Sequence, residues 1–222
     1  MKSPTLLTLL TTTPLALCAF DYNRGGAVLK APSGTSFANV AGTFTVPSLS
    51  GNSHLSIWVG IGDSIQQTYV LGGGIVFNKT LATWSAFYPD KSIDVTSAVP
   101  VAASDIVKVS VQAKGAEGTV IVENKTQGRK SEITLGAPAA ASPEVLTAGT
   151  ADWWVQAYQV VPGELVTTPS YEKVEFTSCS AVTESGVSVP LTGAGKFEIS
   201  GISGQQFSRT TISEKGVVVE RV

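Results

Sequence analysis

The segment Val107-Lys108-Val109-Ser110-Val111 puts three valines on one face of an extended chain and Lys108 and Ser110 on the other. No stretch of ten residues carries a convincing 3.6-residue apolar repeat, so this chain has to bury itself through strands. Similar short runs, rich in β-branched residues and bounded by Gly, Pro, Asn or Asp, cover Ala27–Lys30, Ser36–Val46, Leu55–Ile61, Gln67–Leu71, Gly74–Phe77, Ala82–Tyr88 and Ile106–Ala113. They continue through Gly118–Glu123, Lys130–Leu135, Asp152–Val160, Tyr171–Thr177, Gly186–Leu191, Gly195–Ile199 and Gly216–Val222. Strands at this spacing predict an all-β sandwich or barrel. Gly72-Gly73-Gly74 reads as a turn, since it lacks the Lys and following helix of a phosphate loop, and Ala137–Gly149 as a surface loop.

The chain start is of a different kind. Lys2 precedes an apolar stretch from Leu6 to Leu17 and the small-residue run Ala16-Leu17-Cys18-Ala19, the pattern of a secretory signal peptide over residues 1–19. A single domain over residues 20–222 is then expected, secreted, extracellular and free of the membrane once the leader is removed. A lipoprotein box ending at Cys18 is the competing reading, and Leu17 fits it poorly. The formal net charge is −2 with no basic patch, which argues against a nucleic-acid partner. Cys179 is the one cysteine beyond the leader, so the domain relies on its core rather than on an internal disulfide.

Candidate chemistry follows by exclusion. His54 is the only histidine and sits in the turn-like Gly51-Asn52-Ser53-His54, a poor base for a nucleophilic triad. One His and one Cys do not make a zinc site, and neither a metal nor another cofactor is called for. What remains is an amide and a carboxyl: Gln67, after Trp58-Val59-Gly60-Ile61, and Asp152, in Ala151-Asp152-Trp153-Trp154. A carboxylate can take a proton from water while an amide N–H donates to the oxyanion of an attacked carbonyl. An ordinary carboxyl, with a pKa of about 4, would do this in acid. On spacing alone the commoner reading is that Gln67 is an ordinary strand residue and Asp152 an edge or turn residue. The expected geometry is a strand, a turn at Gly60 and Gly62, and a second strand presenting Gln67 to the strand of Asp152.

At these positions the chain resembles the glutamic peptidases, the eqolisin family. Gly25-Gly26-Ala27-Val28-Leu29 is similar to the family's opening strand, with Arg24 where a Trp is common. Val40-Ala41-Gly42-Thr43-Phe44-Thr45-Val46-Pro47 and Trp58-Val59-Gly60-Ile61 match two further motifs, and Gln67-Thr68 falls where the family has its catalytic glutamine. Trp84-Ser85-Ala86-Phe87-Tyr88-Pro89-Asp90 and Val122-Glu123-Asn124-Lys125-Thr126 follow in order. The resemblance spans about residues 24–177 and leaves 178–222 as a C-terminal extension. It implies an antiparallel β-sandwich of two sheets with concanavalin A-like lectin or glucanase architecture, acting on polypeptides as a monomeric acid endopeptidase. In the family a Glu serves as general base and then acid, and the Gln orients water and stabilises the tetrahedral intermediate.

Two departures stand out. The family's Ala-Glu-Trp is Ala151-Asp152-Trp153 here, which retracts the carboxyl by roughly 1–1.5 Å, and a misplacement of about 1 Å costs on the order of a hundredfold in rate. The family's Gly-Ile-Asp is Gly60-Ile61-Gly62-Asp63, moving an acid by one place. Trp58, Asp63, Trp84, Tyr88 and Trp153 are the candidates to line a substrate groove, with at least one of the three tryptophans expected in the core. The same groove in an inactive member would bind peptide or glycan. Asn78 and Asn124 head the sequons Asn78-Lys79-Thr80 and Asn124-Lys125-Thr126 and are candidates for glycosylation.

Overall fold

The computed structural model describes residues 18–51, 54–138, 147–157, 170–201 and 203–222. Most of the leader expected at 1–19, the middle of the loop expected at Ala137–Gly149, and the end of the strand expected at Asp152–Val160 therefore lie outside the described residues. Among those described, fifteen strands and one short 3-10 turn form. The strands are β1 (Cys18–Asp21), β2 (Arg24–Lys30), β3 (Phe37–Thr45), β4 (Leu55–Gly62), β5 (Val70–Asn78), β6 (Thr80–Tyr88), β7 (Ile93–Asp94) and β8 (Ile106–Lys114). Then come β9 (Glu117–Asn124), β10 (Arg129–Gly136), β11 (Thr150–Ala157), β12 (Lys173–Thr183), β13 (Gly195–Ile199), β14 (Ser208–Ile212) and β15 (Val217–Arg221). They make an eight-stranded sheet, β1-β13-β2-β11-β4-β5-β6-β7, and a seven-stranded sheet, β10-β9-β8-β3-β12-β15-β14. All pairings are antiparallel except β1 with β13.

The alternation in β8 works as read: Val107, Val109 and Val111 are buried between the sheets and Lys108 and Ser110 face outward. Across the gap stand Ile57, Val59 and Ile61 of β4 and Trp153 and Val155 of β11. Each such side chain contributes roughly 1.5–3 kcal/mol by leaving water. In contrast to β8, β4 is buried at all eight positions and so is covered on both faces. Its outer face lies under a second apolar cluster of Val28, Trp58, Val70, Trp154 and Phe197.

Three expectations change here. Gly60 and Gly62 belong to β4 rather than to a turn, and Gly72–Gly74 sit mid-strand in β5. A Cβ on Gly74 would lie 2.1 Å from the Ile57 carbonyl oxygen, so the glycines mark close packing rather than chain reversal. Residues beyond 178 are not an appendage: β13 lies between β1 and β2, and β15 joins β12 to β14. Sequence alternation in these strands is weak because they are short and because Glu198, Ser208 and Thr210 are buried polar residues: Glu198 Oε1 accepts the Thr210 N–H, Ser208 Oγ accepts the Ile199 N–H, and Thr210 Oγ1 donates to the Phe197 carbonyl.

Candidate active site

Register decides which side chains meet. Asp152 pairs with Gly60 on one side and Val28 on the other, Trp154 with Trp58 and Gly26, and Gln156 with Ser56 and Arg24. Paired residues share a face, so Asp152, Trp154, Gln156, Trp58 and Arg24 all stand on the outer side of the eight-stranded sheet. Trp153 points the other way. It is 0% exposed, donates its indole N–H to the Ala41 carbonyl at 3.0 Å and packs on Gly42, so it is a core residue and not a groove residue.

The carboxyl of Asp152 fits because residue 62 has no side chain. A Cβ there would sit 2.7 Å from Thr150 Oγ1 and 2.9 Å from Asp152 Oδ2. The strand ends at Gly62, and the chain then turns through 63–69, closed by Asp63 N–H to the Tyr69 carbonyl and Gln67 N–H to the Ser64 carbonyl, both at 3.1 Å. Gln67 is therefore a turn residue and not the strand residue expected; its φ of +57° is a left-handed conformation that costs a non-glycine residue about 1 kcal/mol. That turn brings Gln67 back beside Asp152, across 85 residues of sequence.

Asp152 is 0% exposed. Burial pushes its carboxyl up to about 8, opposed by Thr150, Gln67 and the Arg24 charge and reinforced by the charge of Asp63. Thr150 Oγ1 donates to Oδ2 at 3.4 Å. The Gln67 amide also favours the ionised form, and its Nε2 and Asp152 Oδ1 are both buried without completing a hydrogen bond. Gln67 Oε1 is committed: it accepts from Arg24 Nη1 at 2.7 Å. Arg24 is in turn held by Asp21, with Nη2 at 2.9 Å and Nε at 3.0 Å from Oδ2, and lies 4.9 Å over the Trp154 ring.

A cleft of about 730 Å³ opens beside Gln67, lined by Arg24, Trp58, Trp84, Tyr88 and Gln156 among others. Its indoles are fixed in place: Trp58 Nε1 donates to Gln156 Oε1 at 3.0 Å, and Trp84 Nε1 to Ser56 Oγ at 3.2 Å. Tyr88, 54% exposed, forms the rim. Asp63 does not line this cleft. It faces a smaller hollow with Lys30, Ser64 and Thr150, on the far side of Gln66, because the acid has moved one residue beyond the end of β4.

Of the two sequons, Asn78 is exposed in the β5–β6 turn with its Oδ1 3.0 Å from His54 Nε2. Asn124 is fully buried and its amide nitrogen donates to the Pro100 carbonyl and to Asp105 Oδ2, both at 2.8 Å, so it is removed as a glycosylation candidate. Cys179 is buried, which pushes its thiol up to about 12 and makes it a packing residue. The parts that sequence reasoning missed are Asp21, Arg24, Gly62 and Thr150. Arg24 left a signal as a charge where the resemblance has a Trp, and Gly62 as the residue standing where the resemblance has an acid.

Comparison with known proteins identifies the family and the fold. A model of the Peptidase A4 family matches residues 22–221. That span takes in β12 to β15, beyond the 24–177 expected. The chain is 27% identical over 231 residues to Aspergillopepsin-2 of Aspergillus niger, covering 91% of this chain and 78% of that protein. Scytalido-glutamic peptidase, crystallised with a peptide-based transition state analog, superposes with a TM-score of 0.78 at 28% identity, covering 91% of this chain and 99% of that one. SCP-B, a member of the Eqolisin family in complex with the tripeptide Ala-Ile-His, gives 0.75 at 27% identity over the same shares.

Proposed function

This chain belongs to the Peptidase A4 family, a family of glutamic-type endopeptidases, and we propose that Asp152 and Gln67 carry its hydrolysis of polypeptides. The supporting observation is the pair of buried atoms without a hydrogen-bond partner, Asp152 Oδ1 and Gln67 Nε2, on two side chains close enough for the amide to act on the carboxyl. The ionised carboxyl takes a proton from water as the water oxygen bonds to the scissile carbonyl carbon. The carbonyl electron pair moves onto its oxygen, and the Gln67 N–H donates to that oxyanion. Collapse re-forms the carbonyl and breaks the C–N bond, and the amine leaves with the proton held by Asp152. The peptide lies in the cleft of Trp58, Trp84 and Tyr88, whose aromatic faces hold it in extended form. Residues 1–19 direct secretion, after which the domain acts as an extracellular monomer.

Burial bears on the pH dependence of this step. With the carboxyl at about 8, the base form is scarce in acid, and kcat/KM rises about tenfold per pH unit up to that value. The test is cleavage of an unfolded protein across the pH range by the wild type and by Asp152→Ala, Asp152→Glu and Gln67→Ala. Both alanine variants lose about 100-fold or more, and Asp152→Glu keeps or raises the rate by restoring reach. An optimum below about pH 5 would overturn the base role of a sealed Asp152. A second reading, a cleft that binds peptide or glycan without cutting, draws on the complete burial and short reach of Asp152. A folded but inert wild type made active by Asp152→Glu would establish it.

A further inference from the structure

We propose that Arg24 is the positioning residue of this site, setting which end of the Gln67 amide faces Asp152 and the reacting carbonyl. The inference rests on the peptidase reading above. An amide side chain has two nearly isosteric ends, and only the NH2 end can donate to an oxyanion. The turn through 63–69 fixes where Gln67 stands but not which way its amide is rotated. Arg24 does: a guanidinium has donors and no acceptor, so the atom 2.7 Å from Nη1 has to be the amide oxygen. Nε2 is thereby turned to the opposite side, where it is buried and unpartnered. A guanidinium free to rotate would not enforce this, and Arg24 is not free. Asp21 Oδ2 takes its Nε and Nη2, while Asp21 Oδ1 accepts the backbone N–H of Asn23 at 2.9 Å and of Arg24 at 3.1 Å. The Trp154 ring carries the guanidinium plane at 4.9 Å.

The same cation has a second effect. Of the charged groups that act on Asp152, Arg24 favours its ionised form and Asp63 opposes it. A neutral aromatic residue at position 24 would supply neither the donor nor the charge. Arg24 thus orients the hydrogen-bond donor and supports the base in one contact chain, Asp21 to Arg24 to Gln67, without touching the substrate's reacting atoms.

The experiment compares Arg24→Met and Arg24→Lys, each alone and in a Gln67→Ala background, by steady-state cleavage and by carbon-13 NMR titration of the Asp152 carboxyl. Arg24→Met is expected to lower kcat about 10- to 100-fold with KM changed less than about threefold. In the Gln67→Ala background the same change is expected to cost less than about twofold. The Asp152 titration moves to higher pH in Arg24→Met and stays nearer the wild-type position in Arg24→Lys, which keeps the charge and also tests a case in which the Met variant unfolds. An equal kcat loss with and without Gln67, or an Asp152 titration that ignores both variants, overturns the proposal. If the wild type cleaves no peptide, the peptidase mechanism falls. The titration alone then decides for or against Arg24.

Discussion

Asp152 illustrates how a side chain placed for chemistry works against the fold that holds it. An ordinary carboxyl in the unfolded chain loses its proton near 3.8, whereas the buried one keeps it to about 8. Between those values the native state binds a proton that the unfolded state has lost, so stability falls as pH rises, by up to roughly 1.4 kcal/mol per unit. Below the lower value the penalty is absent. Asp152→Asn removes the ionisable group with little change of shape. Its melting temperature is therefore expected to match the wild type near pH 3 and to exceed it by a margin that widens up to about pH 8. A constant margin across pH would mean that the carboxyl is not sealed as described.

At the scale of elements, the turn 63–69 and the glycine positions of β4 and β5 do the positioning. Gln67 holds a left-handed φ of +57°, a conformation that glycine adopts without penalty. Gln67→Gly and Gln67→Ala both delete the amide and so both abolish donation to the oxyanion, but only the alanine keeps the backbone strain. Gln67→Gly is expected to be the more stable of the two by about 1 kcal/mol in denaturant unfolding. Equal stabilities would show that the turn is unstrained. This element also marks where the sequence was hard to read. Period-two alternation located β3, β8 and β9 because one face of each is buried and the other wet. It found β4 and β11 but was blurred where both faces are buried and glycines serve close packing, so β5 was split in two and Gly60 and Gly72–Gly74 looked like turns. Gln67 and Asp152 were legible through motif resemblance, and the parity of β11 explains why Trp153 was misplaced while its neighbour Trp154 went unnoticed. The Asp21–Arg24 pair reaches Gln67 only through the pairing of β2 with β11, which no local pattern encodes.

At the scale of the whole molecule, two sheets enclose one main core, and the smaller cluster on the outer face ties β2, β4, β5, β11 and β13 together beneath the cleft. The last third of the chain contributes to both sheets, so the site is supported by strands that lie far from it in sequence. Among the described residues no helix is long and apolar enough to cross a membrane, and helix contributes almost nothing to the architecture. That near-absence has an optical consequence. Trp58 lies 6.4 Å from Trp84 at an interplanar angle of 60° and 6.4 Å from Trp154 at 40°. Transition dipoles so close and so inclined are expected to couple and to give an exciton couplet in the far-ultraviolet circular dichroism. Because Trp58 and Trp84 also wall the cleft, occupancy of the cleft becomes a chiroptical signal that the native chain emits without any label.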